Sequence, residues 1–192
     1  MTKAGHQRIS VGVALATAAV VLSTTSSWAW ATLAAFMVIP GGTAPDWMEI
    51  AKWEKKPRRT SFMEILSGHG FVKYEGERQS WIPHRTITHY MSLWIGAIGW
   101  CGYQLYLGQG TGAELVLYVL GIGFAAGGLS HVLCDLLTPM GVPVLDPTCR
   151  KSLHLVHSVT AETPIALLSF ISGGALLCAT IYLGPLQLYF SL

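Results

Sequence analysis

Three long apolar runs restrict what this chain can fold into more than any other feature of its sequence. They extend over residues 86–107, 115–137 and 165 to about 183. A helix of roughly 20 apolar residues crosses the hydrocarbon core of a bilayer, which is about 30 Å thick. In addition, 52% of the 192 residues are hydrophobic and 11% are charged, so a water-soluble fold of this length could not bury the apolar surface. The sequence therefore predicts an integral membrane protein.

Two shorter apolar runs precede these, over residues 9–22 and 28–39, and a serine-threonine tract at 23–27 separates them. Three interpretations are open: a hairpin of two short helices, one long tilted helix, or a secretory signal with a cleavage site near Ala-Trp-Ala at 29–31. The distribution of charge favours the hairpin. We expect an all-α integral membrane protein with one domain over residues 1–192. Its bundle contains about five helices, with two short N-terminal helices as a hairpin beside three spanning helices.

Positive charge supports this topology because it falls on one side. In the hairpin arrangement the N-terminus, residues 46–85 and residues 139–162 share a side, and they hold all twelve Lys and Arg residues. Lys and Arg accumulate in cytoplasmic loops, so we expect this side to face the cytoplasm of a bacterial-type inner membrane. The segment 46–85 is amphiphilic and is predicted to lie on the headgroups at the cytoplasmic interface. The net charge of +2, without a basic stripe, argues against nucleic acid as a partner.

Ionisable side chains near the predicted cytoplasmic helix ends are the candidate functional residues. His131 and Asp135 lie four residues apart in the run 115–137, so they share one helical face. An ionisable group in a spanning helix is costly and indicates function by default, although a simple His–Asp hydrogen bond would also satisfy this pair. The topology brings four more candidates to the same depth: His6, Asp46, His84 and His89.

The chemistry of these side chains predicts a metal site. Imidazole and carboxylate ligands suit zinc, with manganese and iron as alternatives. The sequence has no nearby cysteine pair of the kind found in structural zinc sites. We therefore expect a divalent metal, zinc first, on the cytoplasmic side.

Four motifs resemble those of a known family. They are Gly5-His6, Pro45-Asp46, His-Arg-x-x-Thr-His at 84–89, and Gly-x-Ser-His-x-x-x-Asp-x-x-Thr-Pro-x-Gly-Val-Pro at 128–143. Together they resemble the YdjM-like family, inner-membrane proteins also described as LexA-binding and as metal-dependent hydrolases. The family pattern usually reads Pro-Asp-x-Asp, but here Met48 takes the second acidic place and Glu49 follows it. The resemblance therefore does not extend to a second acidic ligand at this turn.

A more distant similarity is to zinc-dependent phospholipase C and the single-strand zinc nucleases. It implies that His131, Asp135, Asp46 and one histidine of the 84–89 string hold one metal ion. It also implies that Asp135 bridges to a second ion held with His6.

The leading hypothesis is a membrane-embedded metal-dependent hydrolase that cleaves a phosphoester, with lipid esters among the candidates, through a metal-activated water. Its expected partners are the lipid bilayer and a small-molecule or lipid phosphoester. Arg85 is expected to bind a phosphate oxygen. Glu162 is a candidate general base or additional ligand, although an acidic residue there also favours the helix dipole. The alternative is a non-enzymatic membrane module that binds a metal or a partner.

The residues Thr88, Ser130 and Thr138 lie next to candidate ligands in the sequence. Hydroxyl groups beside metal ligands commonly fix the orientation of those ligands. We expect the three hydroxyls to have this role.

Overall fold

A computed structural model describes residues 2–49, 51–59, 72–80, 87–108, 112–146, 149–155 and 162–183, with 51–59 and 72–80 as backbone. Within these ranges the chain is mostly helical. The helices are α1 (Lys3–Thr25), α2 (Trp28–Gly41), α3 (Ala44–Trp47), α4 (Met91–Tyr106), α5 (Ala113–Leu136) and α6 (Glu162–Leu183). A 3-10 turn, Ile87–His89, precedes α4. The predicted bundle of about five helices is confirmed, with the one-turn α3 in addition.

Short antiparallel strand pairs lie between the helices. Strand β1 (Ala51–Arg59) pairs with β2 (Val72–Ser80), and β3 (Val142–Pro143) pairs with β4 (Arg150–Lys151). The first pair falls inside the segment 46–85. The predicted position of that segment on the headgroups stays a prediction.

Three of the described helices, α1, α5 and α6, are long and apolar enough to cross a membrane by length and composition. Two helix bounds differ from the sequence expectation. Helix α1 has 23 residues because Thr2 caps its start, accepting a hydrogen bond from the Gly5 amide at 3.0 Å. Helix α4 has 16 residues, fewer than the run 86–107, because the 3-10 turn and an extended Tyr90 occupy the first positions of that run.

The N-terminal hairpin is confirmed. Helix α1 ends at Ser26, which adopts the left-handed conformation with φ of 52°, and Ser27 caps α2 by accepting from the Trp30 amide. The chain leaves the helical conformation at these two serines, which excludes one continuous helix. Helix α1 then packs against both α2 and α6, and α5 packs against α2 and α4.

Helices α2 and α5 pack backbone to backbone through glycine. A Cβ atom at Gly123 would overlap the carbonyl oxygen of Ala34, and one at Gly127 would overlap that of Val38. On the facing helix, a Cβ atom at Gly41 would overlap the carbonyl oxygen of Phe124. Gly123 and Gly127 thus form a pair of small residues, four positions apart, that lets α2 approach α5 closely.

Five helices meet at one end of the bundle. Contacts between the starts of α1 and α6, and between the ends of α2 and α5, define this end. The turn before α4 reaches it as well, through the contact of His89 with Asp135. The prediction that the candidate ligands gather at one end is thus confirmed for the described residues, while the side of the membrane stays a prediction.

Replacing Gly123 by Ala should destabilise the bundle, because the added methyl group forces α2 and α5 apart. We expect a loss of about 1–3 kcal/mol, measured by thermal unfolding in detergent with circular dichroism. The control is Gly96→Ala on α4, where a Cβ atom meets nothing within 4 Å. Alanine favours helix, so this control should be as stable as the wild type or more so. Equal melting temperatures for the two variants would contradict close packing at Gly123.

Candidate metal centre

The residues of the centre come from four separate parts of the fold. His6 lies in the first turns of α1, Asp46 in the one-turn helix α3, and His89 at the end of the 3-10 turn. His131 and Asp135 lie in the last turns of α5, one turn apart on the same face. All are buried except Asp46, whose side chain is 37% exposed. The centre is therefore enclosed on most sides and reaches solvent beside Asp46.

Four ligand atoms converge at the middle of this group. Nε2 of His89 lies 3.6 Å from Oδ1 of Asp46 and 3.6 Å from Oδ2 of Asp135. Nε2 of His131 lies 3.6 Å and 3.7 Å from the same two oxygens. In a tetrahedral zinc site with ligands at about 2.0–2.1 Å, neighbouring ligand atoms are about 3.4 Å apart, against about 3.0 Å in an octahedral site. The four N–O distances are therefore close to the spacing around a tetrahedral ion.

The imidazole of His131 is oriented by the backbone. Its Nδ1 lies 2.9 Å from the carbonyl oxygen of Gly42, just after the end of α2. A carbonyl oxygen only accepts, so Nδ1 carries the proton and Nε2 presents its lone pair to the centre. Nε2 has no hydrogen-bond partner among the residues that the structure describes. A cation between Asp46 and Asp135 would satisfy this nitrogen, so the residues fit a metal.

A buried carboxylate orients His89 in the same way. Nδ1 of His89 lies 3.3 Å from Oε1 of Glu49 and 3.1 Å from Oγ1 of Thr88. The Thr88 hydroxyl donates to the same Glu49 oxygen at 3.3 Å, and Glu49 is fully buried. A carboxylate behind Nδ1 favours the tautomer whose Nε2 can bind a metal. Thr88 thus contacts a candidate ligand, and its role in orienting a metal ligand stays a prediction.

Glu49 departs from the Pro-Asp-x-Asp pattern of the family, and the sequence alone predicted no role for it. The available signal was its position three residues after Asp46, because this spacing places two side chains on one face of a helical turn. Its partner, His89, lies 40 residues further along the chain, at a separation that no local pattern reveals.

Asp135 joins the four-atom group to His6. Its Oδ2 faces His89 and His131, while its Oδ1 lies 3.4 Å from Nε2 of His6. The His6 ring stacks on the His131 ring with centroids 3.8 Å apart. His6, His131 and Asp135 form a second group whose ligand atoms lie within 4.8 Å of one another. This geometry suits His6 either as a residue that orients Asp135 or as a ligand to a second ion that Asp135 bridges.

The electrostatics of the centre keep its ligands in their metal-binding forms. Burial raises the pKa of Asp46, but the proximity of the His131 and His89 rings outweighs this effect and holds that pKa well below its usual range. Burial lowers the pKa of His89, despite the opposing effect of Asp46. An ionised carboxylate and a neutral imidazole are the forms that bind a divalent ion.

One protein family matches nearly the whole chain. The sequence profile of a family described as YdjM inner membrane protein matches residues 1–190. The chain belongs to the YdjM inner membrane protein family. The resemblance drawn from the motifs is thus confirmed. Neither a curated protein nor a solved structure matches the chain significantly, so the similarity to zinc-dependent phospholipase C and the zinc nucleases stays a prediction.

In this member of the YdjM family, Glu162 links two helices. Its carboxylate accepts hydrogen bonds from the backbone amide of Thr2 at 2.6 Å and from the Thr2 hydroxyl at 2.7 Å. It also packs on Gly5, where a Cβ atom would overlap it. Glu162 therefore fixes the start of α1, which carries His6. A role for Glu162 as general base or ligand stays a prediction.

The sequence also names Ser130, Thr138, His84 and Arg85 as candidate site residues. Ser130 and Thr138 donate to the carbonyl oxygens of Gly127 and Asp135, each at 2.7 Å, so their hydroxyls bond the backbone of α5 and its end. These bonds act on the ligands through the path of that backbone. His84 and Arg85 lie outside the described residues.

His131→Ala should remove most of the bound metal, because it deletes one of the four converging atoms and leaves Asp135 buried beside the gap. Elemental analysis of the protein purified in detergent measures this. His154→Ala is the control, since His154 is an exposed loop residue outside the cluster. Full metal content in both His131→Ala and Asp135→Ala would place the metal elsewhere.

Glu49→Ala should weaken zinc binding by about 10–100-fold, since residues that orient a ligand have effects of this size. Competition with a chelating dye gives the affinity. Glu49→Gln keeps an oxygen that can accept from His89 and should recover part of the loss. Glu114→Ala, an exposed carboxylate at the start of α5, should bind zinc like the wild type. Equal affinities for Glu49→Ala and Glu114→Ala would exclude an orienting role.

Proposed function

We propose that this membrane protein is a metal-dependent hydrolase of phosphoesters that works at the cytoplasmic face of the inner membrane. The observation that carries the proposal is the uneven exposure of the ligand set. His89, His131 and Asp135 are at most 2% exposed, whereas the Asp46 side chain is 37% exposed. A catalytic metal site keeps one side accessible to water and substrate, while a structural site is closed.

The donor set also supports a catalytic centre. Structural zinc sites are built mainly from cysteine thiolates, but the two groups of possible ligands contain histidine and aspartate alone. These residues would hold a divalent ion, which would supply a water with its pKa lowered to about 7 and would polarise a phosphoryl oxygen.

Each residue of the proposed centre then has a separate role. His89 and His131 would bind the ion through Nε2. Glu49 fixes the orientation of the His89 ring, and the Gly42 carbonyl fixes the orientation of the His131 ring. Asp135 lies between the proposed metal position and His6. The buried residues exclude water from three sides, so a substrate approaches beside Asp46.

We add Arg85 as a catalytic residue and Glu162 as a positioning residue, both named from the sequence. Arg85 comes four residues before His89 in the chain, and its guanidinium suits a phosphoryl oxygen. Glu162 acts on the centre through Thr2 and Gly5, by holding the first turn of α1 in place. The cytoplasmic location rests on the twelve Lys and Arg residues, all on the side that carries the ligands.

One observation favours a second candidate, a non-enzymatic metal-binding module. Four protein atoms face one position with N–O distances near the tetrahedral value, and four protein ligands would complete the coordination of zinc without a substrate. Hydrolysis would then need the Asp46 side to open or the ion to accept a fifth ligand. A test of activity decides between the two candidates.

The test is a screen of zinc- or manganese-loaded protein in liposomes against phospholipids, isoprenoid phosphates and nucleotide esters. We expect release of phosphate or headgroup from at least one class. His131→Ala should reduce it to background and His154→Ala should retain it. If no ester class is cleaved while metal is bound and the fold is intact, the metal-binding module is the better description.

A further inference from the structure

A cleft opens at the exposed side of the metal centre. It has a volume of about 260 Å³ and is lined by Lys3, Thr43, Asp46 and Trp47. Asp46 belongs both to this cleft and to the four converging ligand atoms. The cleft therefore borders the proposed metal centre at Asp46.

The charges around the cleft have opposite signs. Lys3 is exposed at the first residue of α1, so its ammonium group can donate to a ligand in the cleft. The Glu162 carboxylate already accepts from Thr2 at the start of α1, so Lys3 is the positive group that lines the cleft. The Asp46 carboxylate would repel an anion unless a metal ion compensates it. An anion should consequently bind here when the metal is present and bind poorly when it is absent.

The remaining wall is aromatic. Trp47 is 57% exposed, and the edge of its ring meets the Phe124 ring at a centroid distance of 6.3 Å. Tryptophan is enriched at membrane interfaces, where one part of the ring contacts apolar chains and the other contacts polar groups. A cleft of 260 Å³ is smaller than the usual site for a drug-sized ligand, which has about 300–1,000 Å³. Its size suits a phosphate with a small polar substituent and excludes an acyl chain.

We propose that this cleft binds the phosphate group of a phosphoester, between the Lys3 ammonium and the metal held at Asp46, with the substituent against Trp47. The inference extends the proposed function, because it places the substrate of the same centre. The shared chemistry is a phosphate with a small polar group. Its source is either a lipid headgroup reached at the membrane surface or a soluble phosphoester.

The first experiment measures binding of inorganic phosphate by isothermal titration calorimetry to the full chain in detergent, with and without zinc. Zinc-loaded wild type should bind phosphate, and zinc-free protein should bind it much more weakly. Lys3→Gln should weaken binding by about tenfold or more, since a hydrogen bond to a charged group is lost. Lys3→Arg should retain most of the affinity.

The matched control is Arg8→Gln, which removes the same charge from another exposed position of α1 that does not line the cleft. It should bind phosphate like the wild type. Equal losses in Lys3→Gln and Arg8→Gln would reduce the effect to net charge and overturn the proposal. Absence of phosphate binding to the zinc-loaded wild type would overturn it as well. Zinc content and circular dichroism of each variant show that the centre and the fold are intact.

A second pair of variants distinguishes the two sources. Trp47→Leu alters the cleft, while Trp28→Leu changes an equally exposed tryptophan, 56% against 57%, at the start of α2. Binding is compared for glycerol 3-phosphate and for vesicles that contain phosphatidic acid. Loss of vesicle binding in Trp47→Leu alone assigns the cleft to a lipid headgroup. Loss of glycerol 3-phosphate binding in Trp47→Leu alone assigns it to a soluble ester. Equal behaviour of both variants on both ligands contradicts the role of Trp47.

Binding of phosphate in the cleft and hydrolysis at the metal centre are separate proposals, and different results contradict each of them. If esters are cleaved but Lys3→Gln leaves KM unchanged, the cleft is not the substrate site although the hydrolase stands. If no ester is cleaved but zinc-dependent phosphate binding is weakened by Lys3→Gln, the cleft stands as an anion site in a binding module.

Discussion

Imidazole and carboxylate groups lose their water when they are packed among apolar helices, and each must recover that loss from a neighbour. This requirement organises the end of the bundle where α1, α4 and α6 begin. One nitrogen of each central histidine has a fixed partner: the Gly42 carbonyl for His131, and Glu49 with Thr88 for His89. Both remaining nitrogens then face the same two aspartates. The need for partners on burial thus determines the direction in which the ligand nitrogens point.

The packing of the membrane helices is what makes those partners available. The Gly42 carbonyl reaches His131 because α2 ends directly against α5, and that approach depends on Gly41 and Gly127 having no side chain. At the same end of the bundle, Glu162 at the start of α6 holds the start of α1 through Thr2. The glycine contacts lie outside the ligand set, yet the geometry of the ligands follows from them.

Local sequence patterns were sufficient for part of this architecture. Apolar length and the bias of positive charge depend on composition along the chain, so they predicted the helices, the hairpin and the end where the ligands gather. The i, i+4 spacing of His131 and Asp135 likewise predicted a shared face, because helix geometry fixes it. The helix bounds were less accurate where tertiary contacts decide them. The turn before α4, for example, is held by a hydrogen bond from Trp94 Nε1 to the Thr88 carbonyl at 2.8 Å. The role of Glu49 could not be predicted, since it arises from a fold that brings α3 to that turn.

The contact between Thr2 and Glu162 joins residues 160 positions apart. It has a consequence for how the protein is made, because a membrane protein is synthesised and inserted from its N-terminus. His6 and Asp46 enter the membrane region long before the ribosome has produced His131 and Asp135. During that interval the early helices carry polar groups whose neighbours do not yet exist. The cluster is therefore complete only after α5 has been made, and the start of α1 is held by Glu162 only after α6 has begun.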